Sequence, residues 1–247
     1  MERVLVFGAT SAVAAEVIAI HLQRGDRLHL IARSAAKLDA LMARFTNSPN
    51  LTSALADLDR LDSNDLVVRD GISALGGLDR VLIAHGLLGD QLDTEKSFAA
   101  AEATLRTNFT SVVSLLIPLA NHLETQRAGK LCVITSVAGD RGRPRNYTYG
   151  TAKGALHLYL QGLRSRLWRA GVKITTIKLG PVDTPMTTGH KKSALFSTPE
   201  KVAASIVRAM DRGAGEVYVP SFWWLIMLLV RNAPEWLFQR ASFVSGR

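Results

Sequence analysis

Short apolar runs rich in β-branched residues alternate along this chain with segments of helical length, and that alternation limits the available folds more than anything else. Strand-like runs fall at residues 4–7, 28–32, 53–55, 81–84, 131–135, 174–179 and 217–219. Most are apolar throughout, the pattern of strands covered on both faces. Amphipathic stretches lie between them, at about 12–24, 36–45, 63–75, 99–123, 149–170 and 199–212. Gly25, Gly77, Gly129 and Gly171 stand just past helix ends, where a left-handed residue is wanted. Repeated βα units of this kind predict a parallel, doubly wound α/β sheet. The 247 residues suit one such domain. Residues 1–220 carry the βα units, and residues 221–247 form an apolar, Trp-rich tail of the same domain.

The one cysteine, Cys132, excludes an internal disulfide framework, and its place inside an apolar run reads as a buried strand thiol. His21, His29, His122, His157 and His190 are scattered, so no metal is expected. The net charge of +9 points to an anionic cofactor or an anionic lipid surface. Its basic residues form no dense block and are not interleaved with aromatics, so a nucleic-acid partner is not expected. A strand-like segment starts at Arg3, which leaves no room for a signal peptide and makes a cytoplasmic location the expectation.

Tyr149 and Lys153 are four residues apart on a predicted helix and so project to one face. A tyrosine at its ordinary pKa of ~10 is a poor proton shuttle at neutral pH. A lysine cation nearby favours the phenolate, which predicts a phenol shifted downward and suited to acid/base work on an alcohol or ketone.

The first strand runs into Gly8-Ala-Thr10-Ser11-Ala12-Val13-Ala14, which opens a helix. A glycine turn leading into a helix N-terminus aims backbone N–H groups at a pyrophosphate. The second strand ends Ala32-Arg33-Ser34, with no carboxylate to accept ribose hydroxyls and a guanidinium in the next position. An arginine fork suits a 2′-phosphate, so NADP(H) is preferred and NAD(H) stays open. Asp57 and Leu58 are placed to meet the adenine edge, and Ala84, His85 and Gly86 close the fourth strand near the cofactor.

With Asn108, Ser136 and the segment from Leu179 to Thr184, these motifs resemble the short-chain dehydrogenase/reductase family, in order and over nearly the whole chain. The resemblance implies a Rossmann-type sheet of about seven strands, dimers or tetramers, and oxidoreduction at CH–OH groups. It implies that Tyr149 donates or accepts the proton, that Lys153 holds the nicotinamide ribose, and that Ser136 binds the substrate carbonyl. Asn108 would support the helix backbone and a proton relay behind the lysine; Val182 and Thr184 would meet the nicotinamide half. Ala12 and Ala14 depart from the family glycines and would each add a methyl near the cofactor. Leu179 replaces the usual proline.

Residues 86–90, 138–150 and 222–238 also look like the reductase partner of the decaprenylphosphoryl-ribose 2′-epimerase pair. That narrower likeness implies a 2-keto sugar on a polyprenyl phosphate, with a flavin oxidase as functional partner. Arg141, Arg143 and Arg145, between Ser136 and Tyr149, could grip a substrate phosphate, or belong to a solvated loop or subunit contact. The tail, with paired tryptophans and flanking arginines, fits either a membrane interface at the inner face or a homo-oligomer contact. Other readings are a reductase for a fatty-acyl, steroid-like or quinone carbonyl, and an inactive scaffold of the same fold.

Overall fold

A computed structural model describes residues 1–46, 48–188 and 193–240. The apolar runs become β1 (Arg3–Phe7), β2 (Arg27–Ala32), β3 (Leu51–Leu55), β4 (Arg80–Ile83), β5 (Lys130–Ser136), β6 (Lys173–Leu179) and β7 (Glu216–Val219). They form one sheet in the order β3-β2-β1-β4-β5-β6-β7, every neighbouring pair parallel. The helices are α1 (Ala12–Gln23), α2 (Ala35–Met42), α3 (Asn64–Leu75), α4 (Gln91–Lys96), α5 (Phe98–Leu105), α6 (Ser111–Gln126), α7 (Tyr147–Leu167), α8 (Pro199–Arg212), α9 (Trp223–Asn232) and α10 (Glu235–Arg240).

The strand pleat explains the two cores. Val4 and Val6 of β1 face one side and pack with α1, α2 and α8. Leu5 and Phe7 face the other and pack with α3, α6 and α7. Both faces are therefore apolar, and each fully buried Leu, Ile, Val or Phe contributes about 1.5–3 kcal/mol. Only β3, at the sheet edge, is exposed beyond Leu51. Cys132 is fully buried, as its neighbours imply, and burial pushes its thiol up.

Several sequence expectations are corrected. The left-handed residue ending α3 is Gly76 (φ 69°), not Gly77. Helix α6 runs three residues past its expected end, to Gln126, and stops on Arg127 (φ 57°) rather than at Gly129. The expected helix 99–123 is two helices joined by a π-helical stretch, Arg106–Thr110. Helix α4 was not anticipated; its N-cap is Asp90, whose carboxylate accepts from Leu92 N at 2.7 Å. His190 and tail residues 241–247 lie outside the described residues.

The tail forms α9 and α10. Trp223 and Met227 pack with Val137 and Tyr218, and Phe238 is buried as well. The outer side leaves Trp224, Leu225, Leu229, Trp236 and Leu237 exposed. Among the described residues no helix is long and apolar enough to cross a membrane, and no group of three or more His, Cys, Asp or Glu is gathered as for a metal.

Candidate active site

The chain winds outward from β1 through β2 to β3, then returns to place β4 on the other side of β1. Ligand crevices in such sheets open at that switch point, beyond the carboxyl ends of the strands. A cavity of about 830 Å³ lies there.

At the β1 exit Gly8 has φ 74°, and a side chain would place its Cβ 2.5 Å from the backbone nitrogen of His85. Thr10, Ser11, Ala12 and Val13 line the cavity after it. Ser11 caps α1 without a side-chain hydrogen bond, and no acid sits in the first turn, so the helix N-terminus is left for an anionic ligand. Ala14, expected to crowd the cofactor, is instead fully buried in the α1/α8 core; only Ala12 brings its methyl to the cavity wall.

Ala32, Arg33, Ser34, Asp57 and Leu58 form one end of the cavity. Ser34 caps α2 and accepts from Lys37 N at 3.4 Å. That cap brings Lys37 into the same wall as a second cation beside Arg33, a residue the sequence reading missed despite its helix-start spacing. Arg33 is 73% exposed and only 4.0 Å from Asp59, a loose pair that leaves its guanidinium available.

Ala84, His85 and Gly86 line the centre. His85 Nε2 lies 2.9 Å from Ser111 Oγ, and burial lowers its pKa to about 3, so the ring is neutral. Asn108 is fully buried in the π-helical stretch. Its amide nitrogen donates to Leu87 O (2.6 Å) and Thr104 O (2.9 Å), and its oxygen accepts from Leu87 N at 3.1 Å. It therefore holds the β4 exit loop through Leu87.

Ser136, Tyr149 and Lys153 share the wall between β5 and α7, and Val182 and Thr184 complete it below β6. Ser136 Oγ accepts from Ala138 N at 3.1 Å and reaches the Tyr149 phenol. The phenol is not shifted downward as expected. Burial pushes it up to about 12, against a smaller downward pull from Ser136. The Lys153 ammonium is 5.7 Å from the ring centroid, and burial lowers it to about 8, so desolvation outweighs attraction.

The three loop arginines separate. Arg141 turns away from the cavity, donating to Val230 O (2.7 Å), Ala233 O (2.5 Å) and Glu235 Oε2 (2.7 Å) and stacking 3.9 Å over the Phe238 ring. It is a tie to the tail and does not line the cavity, where a grip on a substrate phosphate would need it. Arg143 and Arg145 line the cavity, with Asn146 and Trp223. Trp223 was read only as part of the tail. Its indole packs on Gly180, where a Cβ would sit 2.1 Å from Nε1, so the tail closes one wall of the site.

The family description "short chain dehydrogenase" matches residues 2–194. An uncharacterized oxidoreductase of Mycobacterium tuberculosis is 33% identical over 239 residues, covering 96% of each chain. A short chain dehydrogenase from Burkholderia cenocepacia, solved in complex with NADP, has a TM-score of 0.82 at 18% identity, covering 97% of this chain and 96% of that one. An actinorhodin polyketide ketoreductase solved with NADPH has a TM-score of 0.80 at 18% identity, covering 94% and 98%.

Proposed function

Because the chain belongs to the short-chain dehydrogenase family, and is thus an oxidoreductase of CH–OH and carbonyl groups, we propose that it reduces a ketone to a secondary alcohol with NADP(H). The observation that carries this is one cavity with Ser136, Tyr149 and Lys153 on one wall and Arg33 and Lys37 at its far end. The two cations and the absence of an acid at Ala32 favour the 2′-phosphate of NADP(H) over NAD(H). The NADP and NADPH bound to the two solved relatives agree with it.

The cofactor supplies the hydride when bound. Ser136 accepts from Ala138 N and points its O–H toward the Tyr149 phenol, from where it would turn to donate to a bound substrate's carbonyl oxygen. Tyr149, held protonated by burial, delivers the proton to that oxygen as it becomes an alkoxide. Lys153 supplies positive charge beside the phenolate that remains. Tyr149→Phe tests the assignment: NADPH consumption should fall by about 10³-fold, within the range of general acid catalysis, while NADPH binding stays within a few-fold. Unchanged turnover would move the proton source elsewhere, and failure of the wild type to bind NADPH would favour the scaffold reading.

The narrower likeness to a polyprenyl-phosphate sugar reductase rests on sequence segments alone and loses Arg141 from its support. Peripheral attachment to a bilayer is supported by the outer face of α9 and α10, with Arg231 and Arg240 beside Trp224, Leu225, Leu229 and Trp236. Sedimentation with anionic vesicles separates that reading from burial of the same face in a homo-oligomer.

A further inference from the structure

Buried polar atoms in folded proteins nearly always have partners, so those without one mark a missing ligand or water. Among the described residues, Arg143 Nε, Asn146 Oδ1 and Trp223 Nε1 are buried without a hydrogen-bond partner, and all three residues line the cavity near Ser136 and Tyr149. They come from separate segments, the loop after β5 and the start of α9. The loop is a tight turn: Asn146 N donates to Arg143 O at 3.1 Å across Pro144 and Arg145. Asn146 is also the N-cap of α7, yet its side chain makes no cap hydrogen bond.

Among the described residues Arg143 is paired with no acid of its own. The acid that acts on it, Asp140, is occupied by Lys178 Nζ (2.8 Å), Tyr218 O–H (2.6 Å) and His157 Nδ1 (3.4 Å). Burial disfavours the charged guanidinium and pulls it below its ordinary value. A guanidinium held in this way and an indole N–H lining the same cavity are donors for an oxyanion, while the Asn146 carbonyl oxygen, an acceptor, suits a hydroxyl of the same ligand.

Resting on the ketoreductase reading, we propose that Arg143, with the Trp223 indole N–H, binds an anionic substituent of the substrate, phosphate or carboxylate, at a distance from its ketone. Arg145, exposed at the same wall, adds charge at the entrance. The enzyme is then selective for ketones that carry an anion, not for apolar ketones in general.

The test compares kcat/KM for keto acids of increasing chain length with their methyl esters, and for keto-alkyl phosphates with the parent keto alcohols, using NADPH and the full chain. The wild type should prefer one anionic series by about ten-fold or more, the effect of one charge-assisted contact. Arg143→Gln should erase that preference, Arg143→Lys should restore part of it, and the series that responds identifies phosphate or carboxylate. Equal use of charged and neutral ketones, or a preference that survives Arg143→Gln, overturns the proposal. If no ketone is reduced, the ketoreductase reading has failed by itself. The subsite is then judged by titrating the same anions against tryptophan fluorescence: a saturable change lost in Trp223→Phe and in Arg143→Gln upholds it, and no change refutes it.

Discussion

Replacing Arg141 with alanine should release the tail while sparing the cavity. The guanidinium makes two hydrogen bonds to carbonyls at the end of α9 and a face contact with Phe238. Water can take over the carbonyls, so each bond is worth about 1 kcal/mol net, and the ring contact adds about 1 kcal/mol. The pair with Glu235 is exposed on the acid's side and is left out of the sum. The loss of about 3 kcal/mol corresponds to roughly a hundred-fold rise in local opening. Trp223 and Met227 stay buried against Val137 and Tyr218, so opening should be confined to α10 and the last turn of α9. Hydrogen exchange reads it directly: the amides of Leu237 and Phe238, bonded to Pro234 O at 3.1 and 2.9 Å, should exchange about a hundred-fold faster, while α7 amides are unchanged. Wild-type exchange at those positions together with lost discrimination between anionic and neutral ketones would refute the reasoning and return Arg141 to the substrate.

The pH profile follows from two shifted groups. Reduction needs Tyr149 protonated, which a value near 12 secures, and Lys153 charged, which is lost above about 8; reductive kcat/KM should therefore be level at neutral pH and fall with an apparent pKa near 8 that belongs to the pair. A profile level to about pH 10 would remove Lys153 from the step. Arg33→Ala should weaken NADPH binding about ten-fold and leave NADH binding nearly unchanged, measured by fluorescence titration; equal losses would remove the 2′-phosphate argument. Although burial raises it, Asp140 is held far below the ordinary carboxylate range by hydrogen bonds from His157, Lys178 and Tyr218. Its depressed folded value stabilises the protein above the unfolded value of ~3.9 and is lost as pH falls through the folded one. Asp140→Asn should cost about 3 kcal/mol in urea unfolding at neutral pH, because it leaves the buried Lys178 short of a partner, and should flatten the acid limb of stability against pH.

The strands were legible because burial on both faces keeps most of their central residues apolar, β1 most clearly: Val4 and Val6 feed one core, Leu5 and Phe7 the other. The π-helical insertion at Asn108 was not, since one extra residue per turn shifts the helix face without altering composition. Helix α4 was missed because it is six residues long and has no buried residue to impose a period. Arg127 in a left-handed conformation was hidden by a glycine two residues later that looked like the natural stop.

The site was legible in its residue types and less so in its electrostatics. Tyr149 and Lys153 share a wall as their spacing implies, but the sign of the phenol shift depends on burial against a 5.7 Å separation, and spacing carries neither quantity. The loop arginines show the same limit more sharply. Arg141, Arg143 and Arg145 alternate along five residues and look equivalent in sequence. Asp140 is fixed on Lys178 and Tyr218, which leaves the next residue, Arg141, to meet the carbonyls of α9. The turn across Pro144 then reverses the chain, so Arg143 enters the wall and Arg145 stands at its rim. One arginine therefore ties the tail that carries Trp223, and another shares with Trp223 the task of holding an anion. The tail is part of the substrate site because the loop beside Ser136 grips it from one side and lines the cavity from the other.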